Sequence, residues 1–157
     1  MNETICAIAT APGGALGIIR ISGCGAIDIA SKIFSPKNGK AFHSIQANHA
    51  TLGTIEYENQ VIDEVVGVPF YAPHSYTGEN SVEFSCHGSQ YILSQIVQLL
   101  ISNGCEIAQP GEFTKRAFLN GKMDLSQAEA VADVISANSE AYNKIAINQL
   151  RGGIKDI

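Results

Sequence analysis

The chain has 157 residues, 45% of them hydrophobic and 16% charged, a composition that builds a core and excludes a disordered tail. Ten Lys and Arg against fifteen Asp and Glu give a net charge of −5, with no row of cations to neutralise a phosphate backbone, so a stand-alone nucleic-acid binder is excluded. No apolar run approaches the roughly 18–20 residues of a membrane span, and MNETICAIAT has no basic segment ahead of an apolar one, so the sequence predicts a cytoplasmic protein with no membrane association.

Residues 4–9 and 17–22 are short Ile-rich runs separated by the Ala11-Pro12-Gly13-Gly14 turn, which predicts two strands. Ile27, Ile29, Ala30 and Ile33 recur at near-helical spacing and predict a helix over about 25–34, after which Ser35-Pro36-Lys37-Asn38-Gly39 breaks the chain. A strand pair over 50–58 and 61–70 follows, with Glu58-Asn59-Gln60 as the hairpin tip. Pro69 and Pro73 bracket a loop to Gly78, and 81–86 alternates as a strand. Tyr91, Ile92, Ile96, Val97, Leu99 and Leu100 mark an amphipathic helix over about 89–103, stopped by Gly104. Residues 105–108 read as a short strand closed by Pro110-Gly111. The predicted fold class is α+β, a mixed β-sheet with helices packed on one face. With no Trp and only 7% aromatic residues, its core is expected to be aliphatic.

Beyond Gly111 the pattern is all helical. A short helix is predicted over Glu112–Leu119, and Asp124 with Gln127 matches a capping box opening a helix to about 137. Its stripe of Leu125, Ala128, Val131, Ala132 and Ile135 is expected to dock on the α+β part. A last helical stretch over 139–157 carries Ala141, Ile145, Leu150, Ile154 and Ile157 on one side, while Gly152-Gly153 costs it about 2 kcal/mol. That stripe has no visible partner, so the chain is read as the N-terminal piece of a longer protein.

Three segments hold more special residues than packing demands. Pro12–Gly17 is glycine-rich, open either to a close ligand approach or to a plain turn, and it lacks the Gly-Lys-Ser/Thr of a phosphate loop. It leads to Arg20, mid-strand, which needs a carboxylate or ligand anion unless it faces solvent. In the second segment, 72–88, alternation sets Ser81, Glu83 and Ser85 on one face of a strand and Val82, Phe84 and Cys86 on the other. Glu83 is either a carboxylate able to accept two N–H bonds from a planar heterocycle or an exposed sheet-face residue. Cys86 and His87 point to opposite faces, which disfavours a nucleophile–base pair. The third segment, 110–130, places Lys122 at the turn before the capped helix, as a ligand contact or a solvated lysine. Cys6, Cys24, Cys86 and Cys105 never form a C-x-x-C pattern and are expected to be buried small hydrophobes in a reducing compartment, with no metal site.

The strings APGGALGIIRISG, PHSYTGENSVEFSCHG and PGEFTKRAFLNGKMDLSQAEAVADVI resemble the N-terminal region of the tRNA modification GTPase (MnmE/TrmE) family, and the likeness covers nearly the whole chain. It implies an aminomethyltransferase-like folate-binding and dimerisation domain over 1–118, then the first helices of a helical domain over 119–157, with the GTPase domain absent. The family's folate-binding positions fall on Arg20 of IIRISG, Glu83 of SVEF and Lys122 of LNGKMDL, and no catalytic residue is implied within this chain. Asn80 and Ser89 depart from the family pattern, neither at a ligand position. The implied cofactor is a tetrahydrofolate derivative, 5-formyl or 5,10-methylene, with GTP, Mg2+ and K+ belonging to the absent domain. The implied partners are a second copy, a flavoprotein of MnmG/GidA type and tRNA, serving modification at C5 of the wobble uridine. Two rival readings are a self-contained folate-dependent aminomethyl or formyl transferase, which would form product with an amine acceptor, and a pure dimerisation module, which would give no heat with folate. Because no loop of the P-loop type is present, the chain is expected to hydrolyse no GTP. Saturable binding of a fluorescent GTP analogue would contradict this and point first to Gly13-Gly14.

Overall fold

The computed structural model describes residues 3–132. Period-two alternation builds its sheet. In β2 (Leu16–Ser22), Ile19 and Ile21 are fully buried on one face, while Ile18 and Arg20 stand half-buried on the other. β6 (Ser81–His87) repeats the pattern, with Val82, Phe84 and Cys86 inward and Glu83 and Ser85 outward. Together with β1 (Ile5–Ile8), β3 (Phe34–Pro36), β4 (Thr51–Tyr57), β5 (Gln60–Phe70) and β7 (Glu106–Ile107) they form seven strands in the order β3-β4-β5-β6-β2-β1-β7. All pairings are antiparallel except β1 with β7, so the sheet is mixed.

Two helices, α1 (Ala26–Ile33) and α2 (Gln90–Ser102), cover the inward face with Ile29, Ala30, Ile96 and Leu100. Ser89 caps α2 by accepting the Ile92 N–H. α3 (Glu112–Leu119) lies apart from them and packs on the loop over 71–80. The last described element, α4 over 125–132, opens with the expected capping box: Asp124 Oδ1 accepts the Gln127 N–H at 2.8 Å, and Gln127 Oε1 accepts the Asp124 N–H at 2.9 Å. Leu125 does not dock as expected but stays exposed at the first turn. The end of this helix and the stretch over 139–157 lie outside the described residues.

Three differences from the sequence reading have physical causes. The segment at Ser35-Pro36 forms β3 rather than a simple break, because an edge strand tolerates a residue without an N–H. The hairpin tip is only Glu58-Asn59, both with positive φ (52° and 65°), the two-residue turn whose twist suits paired strands, so Gln60 already belongs to β5. The core is also less aliphatic than expected: Phe34, Phe42 and Phe84 cluster with ring centroids 5.1–6.3 Å apart. Gly53 makes room for that cluster, since a Cβ there would lie 2.6 Å from the Phe34 ring and 2.5 Å from the Ser35 carbonyl oxygen.

Cys6, Cys86 and Cys105 are buried as expected, whereas Cys24, in the turn ahead of α1, is exposed. Burial, helped by the nearby Asp63 carboxylate, pushes the Cys86 thiol up to about 12. In the neighbouring Cys6 and Cys105 pair each shifts the other in opposite senses, the Cys105 thiol raised and the Cys6 thiol lowered. At pH 8 the folded chain is expected to show one fast thiol toward a disulfide reagent, with the other three appearing on unfolding. A thiol that holds its proton more tightly when folded contributes its full stability below the ordinary thiol range and loses it as pH rises toward its folded value. The urea midpoint is therefore expected to fall between pH 9 and 12, and to fall less in Cys86→Ala.

Candidate functional site

Arg20 and Glu83 occupy the middles of β2 and β6, directly opposite in the antiparallel register, on the face away from α1 and α2. Arg20 Nε donates to Glu83 Oε2 at 3.1 Å, and the two side chains are 24% and 29% exposed. An ion pair this open to water contributes about 0–1 kcal/mol to stability. Among the described residues, Glu83 Oε1 and both Arg20 Nη atoms have no hydrogen-bond partner, so the pair is oriented but not saturated. The guanidinium carbon lies 4.9 Å from the Tyr76 ring centroid and 5.4 Å from that of Phe113, within cation–π range of both. Arg20, Tyr76 and Phe113 line a cleft of about 370 Å³ together with Ala7, Gln109 and Val131, among others, whereas Glu83 and Lys122 are not among its lining residues.

The wall that carries Tyr76 is fixed by a buried polar network. Arg116 of α3 donates to Glu79 Oε1 at 3.1 Å through Nη1 and to Glu112 Oε2 at 3.2 Å through Nη2. Ser22 Oγ donates to Glu79 Oε1 at 2.8 Å and shares a 2.7 Å bond with the Thr77 hydroxyl. The Ser75 hydroxyl donates to the Glu79 carbonyl. Tyr76 Oη and Thr114 Oγ1 share a 2.8 Å bond, and Asn120 Nδ2 donates to the Thr77 carbonyl at 2.8 Å. The structure thus brings Arg20 and Glu83 together and sets Lys122, in the turn after α3, against the 71–80 loop. The Lys122 ammonium donates to the Pro73 carbonyl at 3.1 Å, and no hydrogen bond links it to Arg20 or Glu83.

The other segments singled out in the sequence have structural duties. The Gly13-Gly14 turn is packed backbone to backbone: Gly88 N–H donates to the Ala15 carbonyl at 2.9 Å, and a Cβ on Gly88 would lie 1.9 Å from the Gly14 oxygen. Cys86 is buried while His87 is exposed, so they form no catalytic pair. His87 is instead bound by Asp63, whose Oδ1 lies 2.6 Å from Nδ1 and whose Oδ2 accepts the backbone N–H at 2.9 Å. Among the described residues, no group of three or more His, Cys, Asp or Glu is placed to hold a metal ion.

Sequence reasoning did not single out Tyr76, Glu79, Phe113 or Arg116. For Arg116 a signal existed. It lies four residues after Glu112 and three after Phe113, which puts all three on one side of α3.

A family model described as "GTP-binding protein TrmE N-terminus" matches residues 4–122. Among curated relatives, "tRNA modification GTPase MnmE" of Bacteroides thetaiotaomicron is 60% identical over 153 residues, covering 97% of this chain and 33% of that protein. The protein so named from Parabacteroides distasonis is 56% identical, covering 96% of this chain and 33% of its own length. That from Flavobacterium psychrophilum is 53% identical, with 99% and 34% covered. The chain spans about a third of the length of the curated relatives it matches. No helix among the described residues is long and apolar enough to cross a membrane.

Because Arg116 is buried between two carboxylates, Arg116→Ala leaves Glu79 and Glu112 uncompensated and is expected to cost about 3 kcal/mol in urea unfolding. An unchanged midpoint would mean that the network contributes nothing to holding α3 on the loop.

Proposed function

The chain belongs to the TrmE N-terminus family, and on that premise we propose that it is the folate-binding and dimerising part of a tRNA modification GTPase. In this reading, residues 1–118 form the tetrahydrofolate-binding domain and 119–157 begin the helical domain of the longer protein. GTP hydrolysis with Mg2+ and K+, the flavoprotein partner of MnmG/GidA type, the tRNA and the C5 chemistry at the wobble uridine belong to that whole cytoplasmic protein.

The observation that carries the reading is the unsaturated Arg20–Glu83 pair beside an aromatic-walled cleft. A pterin edge presents an amino group and a ring N–H side by side, and a carboxylate with a free oxygen accepts from such an edge. The free Nη groups of Arg20 suit a folate carbonyl or one of its glutamate carboxylates. The cleft volume of about 370 Å³ lies within the ~300–1,000 Å³ of small-molecule sites. The residues present therefore fit a 5-formyl- or 5,10-methylene-tetrahydrofolate, the bound form supplying a one-carbon unit. Lys122 serves as the third contact by exchanging its bond with the Pro73 carbonyl for a ligand oxygen.

Isothermal titration with 5-formyltetrahydrofolate tests the reading. Arg20→Ala and Glu83→Ala are each expected to weaken binding by about 1.5–3 kcal/mol, the range for a lost charge-assisted hydrogen bond. Wild-type affinity in both variants, with circular dichroism unchanged, would remove the assignment. Absence of heat from the wild-type chain would favour the pure dimerisation module.

A further inference from the structure

The cleft beside Arg20 is not closed by the α+β part alone. The sheet contributes Ala7 and Arg20, the 71–80 loop Tyr76, and α3 Phe113 and Thr114, while one lining residue, Val131, comes from α4. A second cavity of about 230 Å³ lies between α3 and α4, lined by Thr114, Phe118, Ala128 and Ala132 among others. Both are grooves open to solvent, so α4 rests on the rest of the chain with unfilled space on either side of Thr114.

The helix is nevertheless well specified locally, since its reciprocal capping box satisfies two backbone donors within its own first turn. Among the described residues, no hydrogen bond or ion pair joins the capped unit 124–132 to residues 3–123. Leu125, the largest apolar side chain of its first turn, is 56% exposed. Among the described residues, α4 is thus a locally capped unit whose position is set by apolar contacts, and one of those residues, Val131, forms a wall of the ligand cleft.

We propose that α4 is a ligand-responsive wall: a molecule filling the Arg20 cleft touches Val131 and fixes α4 in its docked position. The proposal rests on the folate reading of the cleft. A ligand that contacts both the sheet side and Val131 binds the docked arrangement more tightly than one with α4 displaced, so occupancy and docking favour each other reciprocally. Arg20 and Glu83 supply recognition from the rigid sheet, and Val131 supplies the coupling. Occupancy of the cleft is in this way passed to the chain that continues from α4.

The test is hydrogen exchange on the 157-residue chain with and without saturating 5-formyltetrahydrofolate. Amides over 125–132 are expected to exchange at least about fivefold more slowly with ligand, alongside slowing in β2, β6 and the 71–80 loop. Val131→Ala is expected to weaken affinity about threefold and to abolish most of the added protection over 125–132, while keeping that in β2 and β6 at saturation. Leu125→Ala, on the exposed side of the same helix, is expected to change neither. Slowing in β2, β6 and the loop with none over 125–132 overturns the coupling and leaves the folate reading standing. No slowing anywhere overturns both.

Discussion

A guanidinium taken out of water must meet carboxylates, and the way Arg116 meets them decides where the loop over 71–80 lies. Its two partners come from different places: Glu112 is one turn back on α3, whereas Glu79 stands at the end of the loop and also accepts from Ser22 of β2. One buried cation thereby ties a helix, a loop and a strand into a unit. The penalty for moving any of the three is a charge left without its partner, which is steeper than the loss of an apolar contact. With the loop anchored, Tyr76 is held near the Arg20 guanidinium and bonded to Thr114, and Phe113 of the same helix comes near the guanidinium as well. The cleft is a consequence of that anchoring.

Arg20 and Arg116 show how the same residue type takes opposite duties. Arg116 is 4% exposed and hydrogen-bonded to two carboxylates, so it is consumed by the structure. Among the described residues, Arg20 uses only Nε on Glu83 and is about a quarter exposed, with both Nη groups and one Glu83 oxygen unpaired. Orientation without saturation is what a recognition site requires, because side chains already held in place lose little entropy when a ligand arrives. Two aromatic rings near the Arg20 guanidinium restrict it further without using any of its donors.

Much of this site was legible in the chain, for a local reason. Strand alternation sets Glu83 opposite in facing to Val82 and Phe84, and a lone Arg in GIIRIS stands out against its Ile neighbours. The capping box of α4 was equally visible, since both partners lie within four residues. What escaped the sequence depends on distant contacts. That Arg20 pairs with Glu83 requires a register between residues 63 apart, and that Glu79 serves Arg116 requires α3 to fold back across 37. The strand at Phe34–Pro36 was hidden because its own composition reads as a breaker and only its edge position, next to β4, permits it. Lys122 illustrates the limit from the other side: its place at a turn was readable, but its bond to the Pro73 carbonyl was not.

The kind of contact at each wall of the cleft then sets which wall yields. Sheet residues are fixed by backbone ladders on both sides, for β2 lies between β1 and β6. The loop wall is fixed by charge and by hydroxyl bonds among Ser22, Thr77 and Glu79. Directional bonds of these kinds weaken steeply with displacement, whereas apolar burial is non-directional and tolerates a shifted partner. Only the α4 wall relies on the second kind among the described residues. A pocket whose sheet and loop walls are held by directional bonds and whose α4 wall is not would recognise its ligand through the former and report occupancy through the latter. No further moving part is needed to join recognition in the sheet to the chain that follows.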